Sequence, residues 1–312
     1  MGKAFKAAVI QGSPALFDKK KTLKKMNAYV QSAAKKKAKL ILFPEAFIPA
    51  YPWGLSFGTK LGGRTPEGRR TWRRYVENAV EIPSSDIVAI GKMAANAKAF
   101  VAVGVIEKDT KSQGTVYCTL LYFGPDGKYL GKHRKLKPTA GERIIWGEGD
   151  GTTLTALDTK LGRIGGLICW ENYMPLARMA MYNKGVQIYL APTADHRESW
   201  IATMQHIACE GRTYVLGCNQ FVTKDMYPKD LEIGDDLKDS PKTLCRGGSV
   251  IVDPMGKIIS GPLWDREGIL FADIDPDKTT EGKMDFDVAG HYSRNDVFTY
   301  SVKEMPELIK VK

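Results

Sequence analysis

The sequence lacks the features of a membrane, secreted or metal-binding protein. No apolar run in its 312 residues approaches the roughly 18 residues that a membrane span needs, and none resembles the core of a signal peptide. The five cysteines are odd in number and include no C-x-x-C pair, which argues against a disulfide framework or a zinc site. The four histidines include no pair at metal-ligand spacing. We therefore expect a cytoplasmic protein with reduced thiols, no membrane contact and no bound metal.

Positive charge is in excess, and the net charge is +11. Such a balance can indicate a nucleic-acid partner. Much of the excess, however, lies among the lysines between Lys19 and Lys39, where apolar residues recur at helical spacing. These apolar residues are Leu23, Met26, Val30, Ala33 and Ala34. The pattern favours a helix with a solvated lysine face, and we expect no nucleic acid to bind there.

Short apolar runs alternate with helical patterns from end to end, with no composition break. This order predicts one α/β domain with at least one large sheet over residues 1–300, followed by a short C-terminal tail over 301–312. A helix is predicted from about residue 84 to 98, and a further helix is considered within 303–310. The Gly- and aromatic-rich segment 48–72 is predicted to be a loop that forms a pocket wall or an oligomer contact.

The segment Gly165–Pro175 has the pattern of a strand, a tight turn and a helix. Cys169 lies at the junction, and Pro175 suits the first turn of the helix. A thiol close to a helix N-terminus would be favoured as a thiolate. The alternative is that Cys169 is a small buried hydrophobic residue, as a lone cysteine after an apolar run often is.

Two further polar positions follow predicted strands. Glu45 comes directly after the apolar run 39–43 and Pro44. It is either an ordinary acidic residue in a surface turn or a carboxylate at the C-terminal edge of a sheet, which is where the active sites of α/β proteins lie. The run Lys132–Thr139 is either a basic surface loop or a segment that turns one lysine inward. Glu45, Lys135 and Cys169 would together supply a base, a cation and a nucleophile for attack on a carbon bonded to nitrogen.

Three segments in this order resemble the catalytic motifs of the carbon–nitrogen hydrolases, and in detail those of the nitrilase branch. They are Phe43–Phe47, His133–Thr139 with Glu142 and Arg143, and Cys169–Tyr173. Gly147–Gly151 and Gly290–Phe298 also resemble nitrilase segments, so the resemblance covers residues 5 to about 300.

The resemblance implies a four-layer α-β-β-α sandwich. By motif match, Glu45 would be the general base, Lys135 the charge stabiliser and Cys169 the nucleophile. Glu142 would be a second carboxylate that holds Lys135 and helps to place water, and the backbone N–H of Trp170 would donate to the tetrahedral intermediate. The choice of Lys135 within the lysine-rich run rests on the family's Arg-Lys pattern.

The implied reaction converts an organic nitrile and water into a carboxylic acid and ammonia through a thioimidate and a thioester. It requires no metal or organic cofactor, and early expulsion of the thiol would release some amide. The resemblance also implies a homo-oligomer, either a dimer or a higher assembly such as a spiral. The short tail after Phe298 bears on filament assembly rather than on the chemistry.

Position in the loops after the motifs makes five residues candidates for the substrate pocket, although each could equally be ordinary packing. They are Tyr51, Trp53, Trp146, Thr193 and Trp200. His196 beside Asp195 offers an alternative base for a Cys–His pair. Cys118, Cys209, Cys218 and Cys245 are expected to be core or neutral thiols.

Two other enzymatic functions would use the same catalytic residues, and two non-enzymatic functions would use none of them. Hydrolysis of hydrogen cyanide needs the same nucleophile, base and cation, and so does an aliphatic amidase. The run Trp170–Tyr173 favours the nitrile branch over the amidase. Outside enzymes, a scaffold or a basic nucleic-acid binder is possible in principle, but the intact set of Glu45, Lys135 and Glu142 argues against it.

Overall fold

The computed structural model describes residues 4–304. Its strands are β1 Phe5–Gln11, β2 Ala38–Leu42, β3 Thr59–Lys60, β4 Gly63–Arg64, β5 Val80–Glu81, β6 Phe100–Lys108, β7 Val116–Phe123, β8 Tyr129–Arg134, β9 Ala156–Thr159, β10 Gly162–Gly166, β11 Ile188–Pro192, β12 Tyr214–Cys218, β13 Phe221–Thr223, β14 Thr243–Val252, β15 Ile258–Trp264 and β16 Gly268–Ile274. Its α-helices are α1 Lys19–Lys35, α2 Pro66–Glu77, α3 Ser85–Ala97, α4 Pro175–Asn183, α5 Glu198–Gly211 and α6 Asp277–Gly282. Short 3₁₀ helices include Ala140–Ile144, Gly151–Thr153, Cys169–Tyr173 and Lys224–Met226.

The strands form two large mixed sheets. The first has the order β16-β1-β2-β6-β7-β8, with β5 beside β6, and the second has the order β13-β14-β12-β11-β10-β9, with β15 beside β14. In each sheet three central strands are parallel, β1, β2 and β6 in one and β10, β11 and β12 in the other, and antiparallel strands extend them on both sides. The parallel strands are buried on both faces, which explains their continuous apolar sequences.

Side chains that alternate along the strands build three apolar clusters, which define four layers. Val9 and Leu42 of the first sheet share a cluster with Ile188 and Leu216 of the second, so the two sheets pack face to face. The other face of the first sheet packs against α1 and α3, and that of the second packs against α4 and α5. The predicted α-β-β-α sandwich is therefore confirmed.

The helix α1 shows why the lysine-rich segment folds as predicted. Asp18 caps its N-terminus by accepting a hydrogen bond from the backbone N–H of Lys21. Met26, Val30 and Ala33 are buried against the first sheet, and most of the lysines are exposed. The solvated lysine face is confirmed, because three-to-four-residue spacing places the apolar side chains on one side.

The predicted loop 48–72 is wrong in its second half. Helix α2 begins at Pro66, which suits the first turn, and the Thr65 side chain caps it by accepting from the Gly68 N–H. A two-strand hairpin, β3 with β4, precedes it. The charged residues of Pro66–Glu77 hide the helical pattern, since only Gly68, Thr71, Tyr75 and Val76 are buried.

Strand β8 runs through Arg134 and therefore ends at the residue before Lys135. Its pairing with β7 includes Leu120 with His133 and Thr119 with Arg134. Most of the candidate helix 303–310 lies outside the described residues, and residues 301–304 have no regular secondary structure. Within residues 4–304, no helix combines the length and the apolar character needed to cross a membrane.

Candidate active site

Three strand ends meet between the two sheets and bring the predicted groups together. Glu45 follows β2, Lys135 follows β8, and Cys169 follows β10 after two apolar residues. Lys135 Nζ lies 2.7 Å from Glu45 Oε1 and 2.6 Å from Glu142 Oε2. Glu45 and Lys135 have no exposed surface, and Cys169 is 4% exposed. The first sheet thus supplies the acid–base groups, and the second supplies the thiol.

The turns that carry these groups have unusual backbone conformations. Ala46, which follows Glu45, has φ +47°, Cys169 has φ +51°, and Ala140, near Glu142, has φ +45°. Left-handed conformations of non-glycine residues are disfavoured by roughly 1–2 kcal/mol each, and such strain tends to occur at functional sites. Gly104 permits the Glu45 turn, because a Cβ at Gly104 would lie only 2.2 Å from the Pro44 carbonyl oxygen.

Glu45 is placed to act as a base near neutral pH. Burial, together with the nearby Glu142 carboxylate, raises its pKa to about 7 even though Lys135 favours the ionised form. Its Oε1 accepts from Lys135 and from the Cys118 thiol, which lies 3.5 Å away. Among residues 4–304, Oε2 has no hydrogen-bond partner. That oxygen is therefore available to take a proton.

Lys135 is a buried cation shared by two carboxylates. Burial alone would lower its pKa, but the charges of Glu45 and Glu142 outweigh burial and raise the pKa well above its usual value. Its Nζ also lies 5.5 Å from the centre of the Trp146 ring, a favourable distance for a cation–π contact. Lys135 consequently stays charged, as a group that stabilises negative charge must.

Both carboxylate oxygens of Glu142 accept hydrogen bonds. Its Oε2 accepts from Lys135 and, at 2.7 Å, from the backbone N–H of Thr139. Its Oε1 accepts from the Tyr51 hydroxyl at 2.7 Å. Glu142 therefore fixes Lys135 and connects it to Tyr51, at the wall of the cavity described below.

The expectation that Cys169 rests as a thiolate is wrong. Burial, followed by the charge of Glu45, raises the pKa of the thiol far above its usual range, and Lys135 only partly opposes them. The helix that would favour a thiolate, α4, begins at Pro175, six positions beyond Cys169. The hydroxyl of Thr193 donates to Cys169 Sγ at 3.2 Å. The thiol thus needs a base when it reacts, and Glu45 is beside it.

Cys169 lines a cavity of about 230 Å³. The lining comprises Tyr51, Trp53, Thr139, Glu142, Cys169, Trp170, Ala194, Asp195, His196 and Arg197. A second cavity of about 440 Å³ shares Tyr51, Trp53, Thr139 and Glu142 with the first. The two cavities therefore adjoin each other at these four residues.

Two of the five predicted pocket residues line this cavity, and two more contact its lining residues. Tyr51 and Trp53 line it, with ring centres 4.7 Å apart, and Trp146 packs edge-on against Tyr51. Thr193 contacts the thiol directly. Trp200 is not brought there, because it is buried in the cluster between α4, α5 and the second sheet, and it packs against Tyr173.

His196 is near the cavity but is not joined to the thiol. Its ring packs against Trp53 with centres 5.4 Å apart, and burial lowers its pKa. Thr193, rather than His196, is the hydrogen-bond partner of Cys169 Sγ. The geometry therefore favours Glu45 over His196 as the base. Across the residues that the structure describes, no group of three or more His, Cys, Asp or Glu side chains could hold a metal ion.

Sequence reasoning missed several residues around the site. Cys118, expected to be a neutral core thiol, is buried with a raised pKa but also donates to Glu45. Asp195 accepts from the Trp170 indole N–H at 2.9 Å. Glu171 and His133 form a buried pair beside the two strand ends. The alternation of β8 could have indicated His133, because it shares a strand face with Lys135.

A buried thiol beside a carboxylate of raised pKa and a shared lysine, held between two face-to-face sheets, defines an enzyme of thiol-dependent acyl or imidoyl transfer. The model of the carbon–nitrogen hydrolase family matches residues 6–284. The chain belongs to the carbon–nitrogen hydrolase family.

The chain is also similar to individual proteins, two by sequence and one by structure. It is 49% identical to "Nitrilase blr3397" of Bradyrhizobium diazoefficiens over 97% of this chain and 93% of the relative. It is 46% identical to the "Bifunctional nitrilase/nitrile hydratase NIT4A" of Lupinus angustifolius over 96% of this chain and 86% of the relative. The crystal structure of Nit3 from Saccharomyces cerevisiae, a member of branch 10 of the nitrilase superfamily, has the same fold, with a TM-score of 0.71, 23% identity and coverage of 93% and 97% of the two chains.

Proposed function

We propose that this protein is a nitrilase, which hydrolyses an organic nitrile to a carboxylic acid and ammonia. The observation that carries the proposal is the cluster of Glu45, Lys135 and Cys169: Lys135 Nζ lies 2.7 Å from Glu45 Oε1, the Glu45 and Cys169 side chains interact, and Cys169 lines a cavity. The nearly full-length similarity to proteins named nitrilases supports the nitrile as the substrate class.

In the proposed first half of the reaction, Glu45 takes the proton of Cys169 as Sγ adds to the nitrile carbon. The nitrile nitrogen gains a proton, and the product is a thioimidate. Lys135 and the backbone N–H of Trp170 stabilise the negative charge that develops during these additions. Thr193, which donates to Sγ at 3.2 Å, orients the thiol toward the substrate.

In the second half, Glu45 activates a water molecule, which adds to the thioimidate carbon. Ammonia leaves and a thioester remains on Cys169. A second water, activated in the same way, releases the carboxylic acid and restores the thiol. Glu142 holds Lys135 in place throughout and helps to position water. Loss of Sγ from the first tetrahedral species would instead release the amide.

Ammonia release from a panel of aliphatic, aromatic and arylacetonitriles tests the proposal. We expect turnover by the wild type, none by Cys169→Ala, and unchanged turnover by Cys209→Ala, which alters a half-buried thiol on α5. Intact-mass measurement during turnover should show an acyl group on the wild type that is absent from Cys169→Ala. Equal turnover in the wild type and Cys169→Ala would contradict the assignment of the nucleophile.

The same panel separates the neighbouring functions. Cyanide and simple amides are assayed beside the nitriles, and both acid and amide products are measured. Faster turnover of acetamide than of every nitrile would make the protein an amidase. Preference for cyanide would make it a cyanide-hydrolysing enzyme. Salt-dependent retention on heparin with no ammonia release would favour a nucleic-acid binder.

We also propose that the protein forms a homo-oligomer in the cytoplasm. Large apolar side chains are exposed around the start of α4, with Trp170 and Tyr173 each 41% and Leu176 70% exposed. An apolar area of this kind is typical of an interface between subunits. Light scattering coupled to gel filtration should give the mass of a dimer or a larger assembly, whereas a monomer would contradict the proposal. The five unpaired cysteines support a reducing compartment.

A further inference from the structure

One buried carboxylate, that of Glu171, joins the two strand ends that carry Lys135 and Cys169. The backbone N–H of Leu136, the residue after Lys135, donates to Glu171 Oε1 at 2.6 Å. The backbone N–H of Ile168, the residue before Cys169, donates to Glu171 Oε2 at 2.6 Å. A single side chain therefore ties the first sheet to the second within one residue of both reactive groups.

His133 holds this carboxylate from the other side. Its Nε2 lies 2.9 Å and 3.1 Å from the two Glu171 oxygens, and its Nδ1 lies 3.0 Å from the carbonyl oxygen of Thr153. A carbonyl only accepts, so Nδ1 carries a proton. Both Glu171 oxygens accept a backbone N–H and lie within hydrogen-bond distance of Nε2, an arrangement that favours a carboxylate facing a protonated Nε2. We therefore assign His133 as an imidazolium.

The electrostatics of the buried pair agree with this assignment. His133 and Glu171 side chains are both 0% exposed. Burial alone would lower the pKa of His133, but the Glu171 charge and the hydrogen bonds to Glu171 and Thr153 raise it above its usual value. Charge-assisted hydrogen bonds of this kind are short, strong and directional.

We propose that Glu171, held by the His133 imidazolium, is a positioning residue that fixes Lys135 relative to Cys169. The proposal rests on the proposed function, because its effect on turnover is seen only if Cys169 attacks the substrate. Glu171 is not among the residues that line the cavity and would contact the substrate. It acts through the backbone of Ile168 and Leu136, and therefore through the separation of the nucleophile and the cation.

Strand β8 offers a matched control. Glu107 is a second buried carboxylate next to β8, and its hydrogen bonds come from the side chains of Lys132, Arg134 and Thr119. Lys132 and Arg134 alternate with His133 and Lys135, so they lie on the opposite face of the strand. Glu107→Gln thus removes a comparable buried charge without touching the backbone beside either reactive group.

The first experiment compares Glu171→Gln with Glu107→Gln. The glutamine NH₂ must face one of the two backbone N–H donors, which loosens one strand end. Displacement of a reacting group by about 1 Å can lower turnover by about 10²-fold, so we expect kcat of Glu171→Gln to fall by that order with KM little changed. Glu107→Gln should keep its kcat. Unchanged kcat in Glu171→Gln, or an equal loss in Glu107→Gln, would overturn the proposal.

The second experiment measures the protonation of His133 in the wild type, so its outcome does not depend on the activity of a variant. Nitrogen-15 spectra of the imidazole groups near neutral pH should show both nitrogens of His133 protonated, with His133→Gln used only to assign the signal among the four histidines. A neutral His133 ring would refute the proposed pair.

The two proposals fail in different ways. If the wild type releases ammonia from no nitrile, the proposed function falls, and the rate of Cys169 alkylation by iodoacetamide replaces turnover as the measure of geometry. Slower alkylation in Glu171→Gln than in Glu107→Gln would still support the positioning role. Equal alkylation rates in the two variants would contradict the positioning role of Glu171.

Discussion

Two buried carboxylates of the first sheet, Glu45 and Glu107, differ in the cations around them. Glu107 has two cationic partners of its own, Lys132 and Arg134, and a hydroxyl from Thr119. Burial opposes its ionisation, but the hydrogen bonds from Arg134 and Lys132 prevail, and its pKa is lowered. Glu45 shares one cation, Lys135, with Glu142.

The consequence is opposite chemistry from the same residue type. Glu45 is fully buried and shares its only cationic partner with Glu142, and its pKa is raised to about 7. Such a pKa suits a general base near neutral pH. Glu107 stays ionised and holds strands β6, β7 and β8 together. A carboxylate becomes reactive when its surroundings leave it short of positive charge, and structural when they do not.

The largest effect should come from removing the base. Glu45→Gln keeps the size of the side chain and a hydrogen bond to Lys135 but cannot accept a proton, so we expect kcat to fall by about 10²–10⁴-fold, the usual contribution of a general base. Ammonia release measures it, and Glu107→Gln is the matched control. If Glu45→Gln kept the wild-type kcat, Glu45 would not be the base, and the proposed difference in reactivity between Glu45 and Glu107 would be wrong.

Removing the shared cation should affect folding as well as activity. Lys135→Met leaves Glu45 and Glu142 buried without a positive charge, and breaking a buried ion pair in this way lowers the free energy of unfolding by about 3–5 kcal/mol. Urea denaturation measures the loss. Lys135→Arg, which keeps the charge, should recover stability more than kcat. Equal stability of Lys135→Met and the wild type would mean that the carboxylates are solvated.

Removing the structural carboxylate should destabilise the fold and leave kcat unchanged. Glu107→Gln should lower the free energy of unfolding at neutral pH by about 1–3 kcal/mol, because Lys132 and Arg134 lose a charged partner. The folded-state pKa of Glu107 is lowered, so its stabilisation is present above the ordinary value of 4.5 and is lost as pH falls through the folded pKa. The difference between wild type and variant should therefore shrink in acid, and a constant difference would contradict this role.

The pH dependence of catalysis should show the smallest but most direct effect. Glu45 must be ionised to act, so kcat/KM should decline as pH falls through about 7, by about tenfold per pH unit on the acid side. Rates measured on a neutral nitrile from about two pH units below the ordinary carboxyl pKa to about two units above neutrality define the limb. A limb near the ordinary value of 4.5 would show that Glu45 is not perturbed, and the contrast with Glu107 would disappear.

Local patterns predicted the parts of the molecule that have regular periodicity. The apolar runs before Glu45 and Cys169 are parallel strands buried on both faces, and the sequence of such strands is continuously apolar. The capped, amphipathic α1 was equally visible. Helix α2 was missed, since its many arginines obscure a narrow buried face. Trp200 was expected in the pocket because of its position in the chain, yet it packs on the outer face of the second sheet.

By itself, the sequence predicted most of the strands and helices and the candidate reactive groups, because hydrophobic period and residue type are local properties. Only the tertiary structure decided which groups meet and what charge each carries. Burial raises the pKa of both Cys169 and Glu45, although Lys135, which lies between the two sheets with them, opposes the rise. Glu171 and His133 hold that lysine and thiol together across two sheets, and residues more than thirty positions apart give no local sign that they touch.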